Sequence, residues 1–193
     1  MPKVGMEPIR RAALVKATIT EIGRTGSLDV TVSKIAKRAG MSSALAHHYF
    51  GSKEQIFLAA MRHILTLYGA EVRGALAAAD GPEERLRAVV RASFGSGSFR
   101  REVAGAWLNF YVLAQTQAEA RRLLSVYQRR LRSNLLHGLK PLIGERAEVV
   151  AQGVGAMIDG LYIREVLKGG TPDGAAAASL VWGHLRREMG LKA

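Results

Sequence analysis

Residues 31–50 read TVSKIAKRAGMSSALAHHYF and contain two short helical patterns separated by a glycine. Thr31 is suited to cap the first helix, and the apolar residues after it recur at helical spacing. Gly40 stands where that helix must end in a left-handed conformation, and Ser42 is placed to cap the second helix. The stretch therefore predicts two short helices joined by a tight turn.

The second helical pattern, residues 42–48, is too polar to form part of a core. Its side chains can donate to phosphates or base edges, and Tyr49 can offer an aromatic edge to a thymine methyl group. Lys53 is suited to a phosphate contact at the start of the next helix, and Ser33 and Lys34 could contact phosphates in the same way. This pattern favours a helix-turn-helix whose second helix enters the major groove of DNA.

The chain has 193 residues, no cysteine and a formal net charge of +12. Disulfides, cysteine-based zinc sites and cysteine nucleophiles are therefore excluded. The positive charge attracts polyanions such as nucleic acid, and residues 1–62 hold ten Lys and Arg against four Asp and Glu. Because no signal-like core and no apolar stretch of about 20 residues is found, we expect no membrane partner and a cytoplasmic location.

Strand patterns are nearly missing, so we expect an all-α protein. Glycine, proline and capping residues divide the sequence into about nine helices. The predicted helices are 7–24, 32–38, 42–48, 53–78, 83–95, 100–115, 118–139, 145–167 and 173–189. The second and third predicted helices are short and longer helices follow, which predicts a compact head over residues 1–52 on a helical bundle over residues 53–193.

Residues 31–56 resemble the DNA-binding signature of the TetR family of bacterial repressors. The matching positions are Thr31-Val32, Ile35-Ala36, Gly40-Met41-Ser42, His48-Tyr49-Phe50, Lys53 and Ile56. The resemblance implies a nine-helix fold with a three-helix head on a helical bundle. It makes the head, residues 1–52, a DNA-binding domain and the bundle, residues 53–193, a ligand-binding and dimerisation domain. It places the DNA-contacting positions on Thr31, Ser33, Ser43, Ala44, Leu45, His47, His48, Tyr49 and Lys53. Ala44 stands where the family commonly has glycine, and His47 where tyrosine is common, so the operator sequence is left open.

A narrower resemblance is to the repressors within this family that control glycine betaine synthesis and respond to choline. It rests on residues 2–6, 9–11, 106–108, 129–131, 133–135 and 158–161. It implies choline as the small-molecule inducer. The TetR resemblance also implies a homodimer, formed by the last two helices and bound to a palindromic operator in double-stranded DNA. The small residues of those helices permit close packing, either between subunits or within one.

The sixth predicted helix carries Trp107, Phe110 and Tyr111 at i, i+3 and i+4, which places them on one stripe. Aromatic faces attract quaternary ammonium groups, and a neighbouring carboxylate supplies the countercharge. We therefore interpret these three residues as part of an inducer site for choline, with Tyr127 and Tyr162 as further candidates. The alternative is that the aromatic triplet is ordinary core.

The countercharge is assigned to Asp159, which shares a helical stripe with Val149, Ala156 and Ile163. That stripe predicts that the carboxylate faces inward, where it needs a partner. The alternative roles are a helix cap or an ion pair with an arginine such as Arg130 or Arg164.

An enzymatic function is not expected. His47 and His48 form no HExxH or triad-like spacing, and residues 95–98 lack the strand and the lysine of a phosphate-binding loop. We therefore predict no catalytic residue, no metal and no cofactor. Two other readings remain: an architectural DNA-packaging protein, and a TetR-like repressor of an efflux or other operon that senses a different lipophilic or cationic ligand.

Overall fold

The computed structural model describes residues 5–26 and 29–191, and every regular element in them is helical. These residues form nine α-helices and one short 3-10 helix, which confirms the predicted all-α fold. The α-helices are α1 (Met6–Thr25), α2 (Val32–Arg38), α3 (Ser43–Phe50), α4 (Lys53–Ala77), α5 (Gly81–Ser93), α6 (Arg101–Thr116), α7 (Ala118–Ile143), α8 (Ala147–Leu167) and α9 (Gly174–Glu188). The 3-10 helix is Gly144–Arg146. Residues 2–4, which contribute to the narrower resemblance, lie outside the described residues.

The predicted end of the seventh helix was wrong. We expected the helix to stop at residue 139 because Pro141 follows, but α7 continues through Pro141 to Ile143. A proline removes one backbone hydrogen bond and its ring crowds the carbonyl four residues earlier, but Pro141 is only two residues from the end of α7, so these costs fall on the last turn. The helix ends instead at Gly144, whose φ of +57° is left-handed.

The chain divides into two compact units. The first comprises Met1–Leu65 with Arg100–Arg122, and the second comprises Thr66–Phe99 with Leu123–Ala193. Helix α6 therefore belongs to the same unit as the helix-turn-helix. The predicted functional boundary at residue 52 stays a prediction, since it concerns what each part does rather than how tightly it packs.

The helix-turn-helix forms for the local reasons that the sequence indicates. The Thr31 hydroxyl accepts a hydrogen bond from the Lys34 amide at 3.2 Å, and the Ser42 hydroxyl accepts one from the Leu45 amide at 3.2 Å. Both bonds satisfy amides that a helix start leaves without partners. Gly40 has a φ of +68°, so it turns the chain between α2 and α3 at no steric cost.

A buried carboxylate ties α1 to α2. Glu21 has only 3% of its surface exposed, and it pairs with Arg38 at the end of α2 and with Arg24 at 3.2 Å. The Arg38 guanidinium, followed by Arg24, holds the pKa of Glu21 below its usual range. The ion pairs compensate the cost of burying the carboxylate, and they hold α2 in place against α1.

Helix α6 packs on α1 at unusually close range. A Cβ atom on Gly23 would lie 2.3 Å from the Cα atom of Glu102, so only glycine fits at that position. The Asn109 amide nitrogen donates to the carbonyl of Gly105 at 2.8 Å and to that of Gly26 at 3.4 Å. These contacts make α6 part of the support of the first unit.

In the second unit, α9 packs against α5 and α8. The Asp173 side chain caps α9 by accepting from the Ala176 amide at 2.8 Å, and Arg146 pairs with Glu188 at 2.6 Å. Aliphatic side chains from these helices and α7 fill the core, including Leu86, Val89, Leu135, Leu139, Val154, Ile158, Val181 and Leu185. Burial of this apolar surface is the main force that holds the unit together.

Candidate nucleic-acid interface and aromatic clusters

Helix α3 exposes one side and buries the other. Ala44, His47 and His48 are all exposed, and their i, i+3, i+4 spacing places them along one stripe. Ala46 has no exposed surface and faces the supporting helices. The outermost surface of α3 thus consists of two imidazoles and one methyl group, a mixture that can meet base edges in a groove.

Tyr49 is half-buried, and two arginines of α1 contact it. Arg10 Nη1 donates to the Tyr49 hydroxyl at 3.4 Å, and the Arg11 guanidinium lies 5.6 Å from the centre of its ring and 5.0 Å from that of Phe50. Arg11 also pairs with Glu7 at 2.8 Å. Sequence reasoning assigned these arginines no role, although two adjacent cations at the start of the basic region were a visible signal. They fix the end of α3 relative to α1.

Two hydrogen bonds join His47 to Gly51, the residue that ends α3. The Gly51 amide donates to the His47 carbonyl at 2.7 Å, and the ring Nδ1 atom of His47 lies 2.9 Å from the Gly51 carbonyl oxygen. Gly51 has φ +76° and ψ −66°, a conformation that is strained for residues with a side chain. The glycine thereby holds the imidazole in one orientation.

The other predicted DNA contacts lie at the start of α2, on α3 and at the start of α4. Thr31 and Ser33 are exposed at the start of α2, and Ser43 and Leu45 are half-buried in α3. Lys53 is half-buried in the first turn of α4. All nine predicted positions belong to the first unit, and their roles in DNA binding stay predictions.

The three aromatic residues of α6 do lie together. The Trp107 ring centre is 5.8 Å from that of Phe110, edge to face, and 5.8 Å from that of Tyr111. Trp107 and Phe110 are buried, and Tyr111 is half-buried. This cluster belongs to the first unit, and its burial is consistent with both readings, ordinary core or ligand contact.

Asp159 has a partner that the sequence did not single out for it. The Tyr127 hydroxyl donates to an Asp159 carboxylate oxygen at 2.9 Å, and the Tyr127 ring centre lies 5.8 Å from that of Tyr68. Burial raises the pKa of Tyr68, and the carboxylates of Asp159 and Glu71 raise it further. The Tyr68 hydroxyl also bonds to Ser93 at 3.1 Å. Two tyrosine rings and a carboxylate thus come together within the second unit.

Tyr68 was missed, although its position was a usable signal. It follows Ile64 by four residues and precedes Val72 by four, and both of those residues are buried. An aromatic residue on the apolar stripe of α4 therefore had to point inward.

Tyr162 is buried and engaged elsewhere. Its hydroxyl donates to the Ser98 carbonyl at 2.8 Å, and its ring stacks on Phe99 at 5.2 Å between centres. Burial raises the pKa of Tyr162 well above its usual value. These contacts anchor the segment before α6 to α8, and a ligand contact by Tyr162 stays a prediction.

The prediction that one stripe of α8, with Val149, Ala156, Asp159 and Ile163, faces inward was wrong. Asp159 is half-buried, but Val149 is 75% exposed and Ala156 is also exposed. The core side of α8 runs instead through Val154 and Ile158. Because α8 is apolar on both sides, its spacing could not reveal which side meets the core.

Among the described residues, no group of three or more His, Cys, Asp or Glu side chains is arranged to hold a metal ion. None of the helices that the structure describes combines the length and the apolar composition needed to cross a membrane.

Family models match both parts of the chain. The model for bacterial regulatory proteins of the TetR family matches residues 14–60. The model for the C-terminal region of BetI-type transcriptional repressors matches residues 82–190, more than half of the chain. Together the two matches span the helix-turn-helix and most of the helices that follow it.

Curated relatives and solved structures agree with these matches. The HTH-type transcriptional regulator BetI of Brucella anthropi is 50% identical over 182 residues, 94% of this chain and 94% of the relative. The Rhizobium meliloti protein of the same name is 54% identical over 169 residues, 87% of this chain and 83% of the relative. A transcriptional regulator from Pseudomonas aeruginosa PAO1 has a TM-score of 0.83 at 25% identity, covering 95% of this chain and 91% of that one. A regulator from Saccharomonospora viridis in complex with choline has a TM-score of 0.77 at 22% identity, covering 92% and 95%, and shares the fold.

Proposed function

The chain belongs to the TetR family of transcriptional regulators, with a BetI-type C-terminal region, and we propose that it represses genes for glycine betaine synthesis until choline binds. Members of this family are DNA-binding proteins and not enzymes. The proposal places the protein in the cytoplasm, because that is where operator DNA lies in a bacterium.

The observation that carries the DNA-binding proposal is the exposed stripe of α3. His47 and His48 can make polar contacts to base edges, and the small Ala44 allows close approach to the groove floor. The capped starts of α2 and α4 and the half-buried side chains of α3 would make the phosphate and sugar contacts that set the register. These positions are Thr31, Ser33, Ser43, Leu45, Tyr49 and Lys53.

The uncovered apolar sides of α8 and α9 support the proposal of a homodimer on a palindromic operator. Val149 is 75% exposed on α8 and Leu180 is 57% exposed on α9, and the small residues Gly153 and Ala156 are also exposed on α8. Apolar helix surfaces of this kind are stabilised when a second copy covers them. A two-fold dimer would then present two α3 helices to two half-sites related by the same symmetry.

The chemistry around Asp159 supports a cationic inducer. A quaternary ammonium group has no N–H to donate, so it is bound by aromatic faces and a nearby negative charge. Tyr127 and Tyr68 supply the rings and Asp159 supplies the charge. Trp107, Phe110, Tyr111 and Tyr162 are further proposed contacts, each of which an alanine variant tests separately.

Choline would act by shifting a population. A ligand that prefers a conformation with poorly placed recognition helices weakens operator binding by no more than the ratio of its affinities for the two conformations. Aromatic rings and a carboxylate also attract other organic cations. The alternative function is therefore a TetR-like repressor of an efflux or other operon with a different cationic or lipophilic inducer.

Titration with a small panel of ligands tests the proposal. Choline, betaine aldehyde and hydrophobic cations are added to the protein, and thermal unfolding and operator affinity are both measured. Because a ligand of the native state raises stability, choline should raise the melting temperature and weaken the operator complex. If only the hydrophobic cations raise the melting temperature and weaken the operator complex, the alternative repressor with a different inducer is correct. If choline has neither effect, the choline proposal fails.

A further inference from the structure

The contact between His47 and Gly51 determines which ring nitrogen carries a hydrogen. The Gly51 carbonyl oxygen can only accept a hydrogen bond, and it lies 2.9 Å from His47 Nδ1. Nδ1 must therefore be the donor. In the uncharged imidazole the second nitrogen, Nε2, then has no hydrogen and acts as an acceptor.

Gly51 makes this arrangement specific to one orientation of the ring. Its amide donates to the His47 carbonyl at 2.7 Å while its carbonyl receives the ring hydrogen, so two bonds connect the same pair of residues. The backbone of Gly51, with φ +76° and ψ −66°, is accessible mainly to glycine. The ring edge that bears Nε2 points away from the bond to Gly51, and His47 is exposed on the outer stripe of α3.

We propose that His47 reads an exocyclic amine in the major groove, adenine N6 or cytosine N4, by accepting its hydrogen at Nε2. This inference rests on the proposed function, since it requires α3 to lie in the groove. Adenine and cytosine present an amino donor on the major-groove edge, whereas guanine and thymine present carbonyl acceptors at the corresponding positions. An acceptor therefore distinguishes the two kinds of base, because two acceptors placed together leave both without a hydrogen bond.

A phosphate contact is the competing role for His47, and the fixed ring argues against it. Phosphate oxygens are acceptors, so an uncharged Nε2 gains nothing from facing one. Contacts to phosphate are better made by donors such as Lys53 or by the backbone amides at helix starts. His47 is thus suited to reading a base, and its neighbour Ala44, one turn earlier on the stripe, leaves room for a base edge.

Two substitutions of His47 distinguish the role of Nδ1 from that of Nε2. His47→Asn places an amide nitrogen near the position of Nδ1, so the bond to Gly51 is kept while the outer nitrogen is removed. His47→Gln extends an amide towards the position of Nε2, where its oxygen can accept. His137→Asn is the matched control, because it makes the same change at an exposed histidine on α7 that is not among the predicted DNA contacts.

The experiment selects binding sites for each dimeric protein from randomised duplexes at about pH 8, where imidazoles are uncharged. The wild type should prefer A or C over G or T at one symmetric position in each half-site, by about 5- to 10-fold, the effect of one hydrogen bond. His47→Asn should reduce that preference to less than about 2-fold and leave other positions unchanged. His47→Gln should retain most of it, and His137→Asn should leave that position unchanged.

Three outcomes overturn the inference. One is an unaltered preference in His47→Asn, and another is loss of the same preference in His137→Asn. The third is an equal loss of affinity for all sequences with a shallower salt dependence, which indicates a phosphate contact. Failure of the proposed function looks different, because the wild type itself would then select no sequence. Thermal unfolding of each variant confirms that it is folded, and exposed His47 is not expected to change it.

Discussion

Helices α3 and α8 each leave one side uncovered in the single chain, and the two sides differ in chemistry. The uncovered side of α3 carries the imidazoles of His47 and His48, whereas that of α8 carries Val149 and Ala156. Polar side chains can hydrogen-bond to water or to base edges, but exposed apolar side chains gain stability only when another apolar surface covers them. The chemistry of the two uncovered faces therefore supports the two proposed partners, DNA for α3 and a second subunit for α8.

The largest expected effect comes from placing a charge on the α8 face. Val149→Glu would bury two carboxylates in the proposed dimer interface, one from each subunit, at a cost of several kcal/mol. We expect the variant to be largely monomeric and to bind operator at least about 100-fold more weakly. Sedimentation and operator titration measure the two effects.

Val112→Glu is the matched control for this prediction. Val112 is 62% exposed on α6, in the first unit, and is not part of the α8 face. This variant should remain dimeric and bind operator normally. A dimeric Val149→Glu protein with full operator affinity would contradict the assignment of the α8 face.

The next effect concerns the support beneath α3. Glu21→Gln removes the buried charge that pairs with Arg38 and Arg24, which should lower the free energy of unfolding by about 1–3 kcal/mol near pH 7. Urea unfolding measures the change. Glu7→Gln, which alters an exposed pair with Arg11, is the control and should cost less than about 0.5 kcal/mol.

The ion pairs of Glu21 with Arg38 and Arg24 also predict that the stability of the protein depends on pH. Folding lowers the pKa of Glu21 from about 4.5, so its contribution is complete above that pH and is lost as the pH falls through the lower folded value. The difference in stability between wild type and Glu21→Gln should therefore shrink as the pH is lowered from about 7 towards 3. A difference that is constant over this range would show that the charge of Glu21 is not what stabilises the head.

Asp159, a half-buried carboxylate on α8, is expected to bind the cationic inducer. Asp159→Asn keeps the shape of the side chain but removes the countercharge, so the dissociation constant for choline should rise by about 10-fold. Calorimetric titration measures it, with Glu145→Gln, an exposed acid of the 3-10 helix, as the control. Equal choline affinity in wild type and Asp159→Asn would remove Asp159 from the site.

The smallest predicted effect comes from removing the side-chain cap at the start of α3. Ser42→Ala removes the hydroxyl that accepts from the Leu45 amide at 3.2 Å, and the loss of such a cap costs about 1 kcal/mol. Urea unfolding should detect it, together with a modest weakening of operator binding. Ser133→Ala, at an exposed position in α7, should change neither quantity. Unchanged stability in Ser42→Ala would mean that the cap does not support α3.

The helix-turn-helix could be predicted from sequence because its determinants are local. Thr31, Gly40 and Ser42 act on amides and backbone angles within a few residues, so their effect does not depend on the rest of the fold. The stripe of α8 could not be predicted in this way. Val149 and Val154 are equally apolar, and only the packing of neighbouring helices decides which of them meets the core.

The site around Asp159 shows an intermediate case. The sequence indicated that a carboxylate on α8 needed a partner, and it suggested the cationic inducer or, as alternatives, a cap or an arginine. It did not indicate the Tyr127 hydroxyl, which donates to Asp159 in the structure. Hydrogen-bond partners that are 32 residues apart depend on the packing of two long helices, which spacing within either helix does not specify. Tyr68, in contrast, was within reach of prediction because it lies on the apolar stripe of α4.

The most direct test of the account is a footprint of the purified dimer on an operator selected from random duplexes. Two protected half-sites related by a two-fold axis are expected, about one helical turn apart, ~34–36 Å, or somewhat wider. The affinity should exceed that for unrelated duplex at least about 1000-fold at physiological salt. Even protection along any duplex, with no preferred sequence, would contradict the claim that the exposed face of α3 reads DNA.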